Sequence, residues 1–347
     1  MRVADRIFLS VLAFFVVTSL LVNPAMAKKP KYVIKMASVI PESDHIGKGY
    51  NKFAELVEKK SNGEIKVNVF HGGQLGSGKE TFEAVRAGFL HIASDSYANL
   101  VTLTPAFEPF HLPYIFESRK QALTAFKNPA IRGHINKQLE AIGLSWIATL
   151  EFGPRQLFTV KKPINWPKDL KGLKLRASRS PLEIATHKQF GAASSTIDWP
   201  ETFDALRMGM VDGYSVTFDA CWSAKHYEVL KYAGALSFQV YGNVAVINKE
   251  WYDSLPQNVK DILTSAAREA ETWHEAMLTD FINMNIREMK ENGMKIYTYT
   301  DDQKAAFKSE ALKVWKQFEK STCPPEFIEL IQREIGEPGN EGWGFKF

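Results

Sequence analysis

Cysteine is nearly absent from the 347 residues: Cys221 and Cys323 are the only two. At most one disulfide can form, in an oxidising compartment, and the DACW and STCPP contexts read equally well as buried thiols. Charge of one sign is also scarce. Forty-three basic against 39 acidic residues give +4, and a leader carrying Arg2, Arg6 and Asp5 accounts for one of those charges. A balance so small and dispersed excludes a nucleic-acid partner. Long apolar runs are missing beyond Val22, so the mature chain is not itself a pore. Histidine pairs are missing too. His274-Glu275 has no second histidine at the spacing of a zinc helix, and His45, His71, His91, His111, His134, His187 and His226 show no ligand-like spacing. Each is read as a capping or surface residue, and neither a metal nor a cofactor is expected.

Two motif-like stretches lack the residue that would make them work. GGQLGSGKE (72–80) reproduces the G-x-x-x-x-G-K spacing of a P-loop from Gly73 to Lys79, but Glu80 stands where a hydroxyl must hold magnesium. A carboxylate there repels phosphate, so the glycines are read as a tight strand-to-helix turn. DGYSVT around Ser215 has Thr217 in place of the second glycine of a nucleophile elbow. No enzymatic activity is expected.

The sequence does contain an export signal. Arg2 and Arg6 precede an apolar run from Ile7 to Val22, and Ala25-Met26-Ala27 follows. This is the pattern of a signal peptide cleaved after Ala27, which sends the mature chain to the periplasm. Beyond it, strand and helix signals alternate. YVIKMASV (32–39) reads as a strand, and Ile46, Tyr50, Phe53, Ala54 and Val57 recur at helical spacing until Ser61-Asn62-Gly63. EIKVNVF (64–70) alternates strictly, and a helix follows from about Lys79 to Ala87. A second series after Glu151 runs through QLFTV, LKGLKLRA, a helix opening at Pro200 and a strand around Val211. The order predicts an α/β fold with a mainly parallel sheet in each of two lobes. Between Pro256 and Gly293 no glycine or proline interrupts an apolar face of Val259, Leu263, Ala266, Ala270, Trp273, Met277 and Phe281. That helix is long enough to span both lobes.

LKGLKLRASRSP (170–181) ends a strand pattern in Arg176, and a guanidinium there grips a carboxylate or sulfonate in bidentate fashion. In lobe one, Asp95, Ser96 and Tyr97 follow the strand HIAS at its C-terminal end, where ligands bind in open sheets. Several stretches in order carry a resemblance over nearly the whole mature chain: KFAELVEKKSNGEIKVNVFHGGQLGSGKE (52–80), LPYIF (112–116), KPINWPKDLKGLKLR (162–176), MVDG (210–213) and YEVLKY (227–232). The chain resembles the extracytoplasmic solute receptors of TRAP transporters, the C4-dicarboxylate-binding family.

That resemblance implies two lobes joined by crossing strands and a long helix, here 28–152 plus 241–281 and 153–240 plus 282–347, closing on one small organic anion. It implies a monomer that performs no chemistry and delivers its solute to a small and a large membrane subunit driven by an ion gradient. The family's carboxylate-gripping arginine falls on Arg176, a second pocket arginine on Arg155, and a paving aromatic on Trp199. Where many relatives continue VDG with Q-E-N, this chain has Tyr214, Ser215 and Val216. The usual amide is missing, so Tyr214, Phe218 or Trp222 shape a different pocket, one suited to isethionate or a 2-oxo acid. A C4-dicarboxylate receptor and a ligand-presenting sensory protein are the alternatives.

Overall fold

The computed structural model describes residues 29–339 and 342–347, so the expected leader and its cleavage site lie outside the described residues. Two sheets organise the chain. The first contains β1 (Tyr32–Ser38), β2 (Ile65–Phe70), β3 (Ile92–Ser96), β4 (Leu144–Pro154) and β10 (Val240–Asn248), in the order β2-β1-β3-β10-β4. The second holds β5 (Gln156–Thr159), β6 (Lys174–Ala177), β7 (Ala193–Thr196), β8 (Gly213–Val216), β9 (Tyr232–Gly234) and β11 (Lys295–Tyr297), ordered β11-β9-β5-β8-β6-β7. Both sheets are mixed, which refines the mainly parallel expectation. β1 pairs in parallel with β2 and β3, and β6 with β7 and β8, but β10 and β5 run antiparallel to both of their neighbours.

Those two antiparallel strands exist because the chain crosses between lobes. β4 leads into β5 through Arg155 alone, and the return path enters β10 after Gln239. The Arg155 N–H donates to the Gln239 carbonyl at 2.7 Å, which ties the two crossings together.

Local signals set the helices. Asp44 caps α1 (His45–Lys60) by accepting from the Ile46 N–H, and the helix stops at Asn62-Gly63, both at positive φ. Ser77 and Glu80 form a reciprocal capping box at the start of α2 (Gly78–Arg86). That is the role of the carboxylate that spoils the P-loop pattern. α3 (Arg119–Lys127) covers the first sheet, α4 (Pro181–Gln189) opens after β6, and α5 (Phe218–Ser223) follows β8.

Helix α6 (Gln257–Glu291) has 35 residues, which at about 1.5 Å each makes a rod of about 52 Å. Val259, Leu263, Ala266, Ala267 and Ala270 pack into the first-lobe core, whereas Leu278, Ile282, Ile286 and Met289 belong to the second-lobe core. The helix therefore joins both lobes. After it, α7 (Asp301–Leu312) buries Phe307 and Ala311 against the second lobe. The expected assignment of everything from 282 to 347 to that lobe ends there. α8 (Pro325–Ile335) returns to the first lobe, where Phe327, Ile328, Ile331 and Ile335 form an apolar stripe facing α3.

Cys221 and Cys323 are both free and buried, one in each lobe's core. Among the described residues no helix is long and apolar enough to cross a membrane.

Candidate functional site

Arg176 lies on β6 between Ser195 of β7 and Tyr214 of β8, near the strand's C-terminal end. It is 2% exposed. Its Nε donates to the Ile197 carbonyl at 2.8 Å, and its guanidinium lies 5.4 Å from the centre of the Trp199 ring. The two terminal nitrogens make no hydrogen bond to any described residue. Burial drives the Arg176 pKa down, and Glu183 and Tyr241 oppose that shift.

Arg155 is differently placed. Its two terminal nitrogens meet the two carboxylate oxygens of Glu183 at 2.8 and 3.0 Å, and one of them also donates to the Ser215 carbonyl. Its plane sits 4.5 Å above the Tyr241 ring, and its Nε is buried without a partner. Glu183 itself accepts from the Ser178 N–H and hydroxyl. Burial pushes the Glu183 carboxyl up, but Arg155, His187 and Arg176 together bring it down to about 2. The Arg155 charge is thereby balanced inside the protein, and that of Arg176 is not.

The aromatic candidates divide. Trp199 is half-buried, 4.8 Å from the His226 ring and 6.4 Å from that of Tyr214. Tyr214 sits beneath it in the second-lobe core, its hydroxyl 3.1 Å from Nδ1 of His226. Phe218 packs between Phe158 and Phe347, at 5.5 and 5.6 Å, in the same core. Val216 is buried there as well.

The first-lobe candidates lie at the end of β3. Asp95, next to last in β3, accepts from the Ser96 N–H and from the Asn99 amide, both at 2.6 Å. Burial raises its carboxyl to about 6, against the pull of the Asn99 and Ser96 hydrogen bonds and, less strongly, of the Arg176 charge. A side chain at Gly78 would strike its Oδ2 at 1.6 Å, so only glycine lets α2 approach here. Ser96 caps the turn that follows, and Tyr97 reaches inward, its hydroxyl on the Val240 carbonyl at 2.8 Å. Tyr97 thus belongs to the first-lobe core.

Contacts join the two lobes nearby. The Arg179 N–H donates to Asn99 Oδ1 at 3.3 Å, and the Ser180 hydroxyl donates to Glu108 at 3.0 Å. His111 Nδ1 lies 3.1 Å from the same hydroxyl.

The histidines require a correction. His45, His71, His111, His187, His226 and His274 are buried rather than on the surface. His45 and His274, 229 residues apart, meet at 2.6 Å. Spacing along one helix could not reveal a pair formed by two.

Residues 36–321 match the model of a family described as bacterial extracellular solute-binding protein, family 7. A C4-dicarboxylate-binding protein, DctB, of Bacillus subtilis (strain 168) is 30% identical over 306 residues, covering 88% of this chain and 86% of its own. Two crystal structures of TRAP periplasmic solute-binding proteins superpose closely. One, from Sulfurospirillum deleyianum DSM 6946 with bound succinate, is 26% identical with a TM-score of 0.82, over 88% of this chain and 99% of that one. The other, from Polaromonas sp. JS666 bound to D-erythronate, is 25% identical with a TM-score of 0.83, over 88% and 100%.

Proposed function

This chain belongs to the bacterial extracellular solute-binding proteins of family 7, receptors and not enzymes, and on that premise we propose that it captures a small organic monoanion in the periplasm. In this reading the solute is held by a carboxylate or sulfonate head on Arg176 and handed to the small and large membrane subunits of a TRAP transporter. One observation carries it: Arg176 is a buried guanidinium whose terminal nitrogens make no hydrogen bond to any described residue. Such a charge is costly to bury unpaired, and a bidentate anion offsets that cost with two charge-assisted hydrogen bonds.

Arg155 supports the head indirectly. With its fork on Glu183 its charge is balanced, and it offers only Nε. Trp199 paves the cleft beside Arg176.

Charge argues for the rest of the solute. On the second lobe two arginines against Glu183 leave one positive charge to meet an anionic head, and an ionised Asp95 leaves no surplus for a second one. Asp95 in the first lobe, ionised above about pH 6, repels a second carboxylate and accepts from a hydroxyl. A hydroxylated acid therefore fits best, whether a hydroxy sulfonate such as isethionate, a hydroxylated 2-oxo acid or an aldonate. The succinate and D-erythronate of the two structural neighbours represent the rejected and the favoured class.

A C4-dicarboxylate receptor is the second reading, favoured by the Bacillus subtilis relative. Native mass spectrometry of the protein purified from its periplasm separates the two. A copurified hydroxylated monoanion supports the proposal, and a C4-dicarboxylate overturns it in favour of the second reading.

A further inference from the structure

Away from Arg176, a second buried polar cluster joins the lobes. His45 opens α1 in the first lobe, Asp219 lies on α5 in the second, and His274 lies on α6 where that helix passes between them. His45 Nε2 is 2.6 Å from Asp219 Oδ2, and its Nδ1 is 2.6 Å from His274 Nε2. All three side chains have zero exposure. Beside them the Ser223 hydroxyl of the second lobe donates to Asp44, the capping residue of α1. The edge of Phe281 covers the His45 ring at 5.1 Å.

Asp44, His45 and Asp219 could also be read as a metal site, but the spacing is wrong. Ligand atoms each about 2.0–2.2 Å from a zinc ion in tetrahedral array lie more than about 3 Å apart. The 2.6 Å separation of His45 and Asp219 suits a shared proton.

We infer that His45 and Asp219 are positioning residues for solute capture, a clasp that holds the cleft shut while His45 carries a proton. As an imidazolium, His45 donates from one nitrogen to Asp219 and from the other to a neutral His274. Loss of that proton leaves Asp44 and Asp219 facing one another across the lobe boundary without a cation between them.

The surroundings agree. Burial lowers the His45 pKa, but Asp44 and Asp219, with Glu151 of β4 behind them, outweigh it and raise the pKa above 6.5. Burial, His45 and Arg119 all hold His274 neutral. Burial raises Asp44 as well, and it raises Glu151 to about 7 against the pull of Arg119. The remaining cation nearby, Lys48, stands over Phe281 at 5.3 Å. Because the closed form raises the histidine pKa, closure takes up a proton. Its contribution is complete below the ordinary histidine value of 6.5 and is lost as pH rises through the closed-state value.

The test needs no solute, so it succeeds or fails independently of the transport reading. Spin labels on Phe89→Cys and Met208→Cys, exposed residues of the two lobes, report the interlobe distance in the full mature chain. The closed population should fall several-fold between about pH 6 and about pH 9, and the dependence should vanish in Asp219→Asn. Nitrogen-15 spectra of the unsubstituted protein near neutral pH should show one histidine protonated on both nitrogens, absent in His45→Gln. A distance that ignores pH, or a His45 that is neutral at about pH 6, overturns the inference, and the second readout stands even if Asp219→Asn fails to fold.

Discussion

Arg155 and Glu183 face each other fork to fork, at 2.8 and 3.0 Å, with no exposure on either side chain. The pair ties the crossing between the lobes to α4, whose first turn follows the strand that carries Arg176. A guanidinium that resembles a ligand grip in the sequence is thus bound into the scaffold.

Glu183→Gln should destabilise the protein by about 3–5 kcal/mol, because it leaves Arg155 buried without a counter-charge. The effect also has a pH signature. The Glu183 carboxyl is depressed from 4.5 to about 2, so its contribution is present above the ordinary value and lost as pH falls through about 2. Denaturant unfolding between these limits should show a weaker pH dependence in the variant than in the parent. Equal slopes would mean that the pair contributes little.

Asp95→Asn should relax selectivity on the first-lobe side. Removing the charge that faces Arg176 lets a second carboxylate approach, so succinate should gain affinity relative to erythronate by about tenfold, the worth of roughly 1.4 kcal/mol. In the parent, succinate should gain likewise as pH falls through the Asp95 value of about 6. Calorimetry with both acids at two pH values measures this, and a ratio unmoved by mutation and pH would remove Asp95 from the site.

Glu80 is a capping residue, so ATP with magnesium should leave the melting temperature unchanged. Ser77→Ala, which breaks the reciprocal cap, should cost about 1 kcal/mol. A thermal shift with ATP that Lys79→Ala abolishes would reinstate the phosphate-binding reading.

The periodic parts of the fold were legible because they depend on local pattern. The apolar face from Val259 to Ala270 predicts α6, although beyond it the buried face runs through His274, Leu278 and Ile282 instead of the expected Trp273, Met277 and Phe281, and the alternation in 64–70 predicts β2. The antiparallel strands β5 and β10 were not, since their direction follows from the chain crossing between lobes. The α8 stripe is visible as a helix, but nothing in it names the lobe that receives it. At the site, Arg176 could be found because a charge ends an apolar strand. Glu183 could not, because Ser-Pro-Leu-Glu at 180–183 has the form of a helix start, and Ser180 does cap α4. The His45–Asp219 contact joins residues 174 positions apart, beyond any motif of fixed spacing.

Arg176 bears the central claim, and calorimetry on Arg176→Lys tests it most directly. Lysine keeps the charge and loses the planar fork. Titrated with erythronate, isethionate, a 2-oxo acid and succinate, the folded variant should bind the solute preferred by the parent more weakly by about 2–5 kcal/mol, with its melting temperature little changed. Unchanged affinity in a folded Arg176→Lys protein would contradict the account.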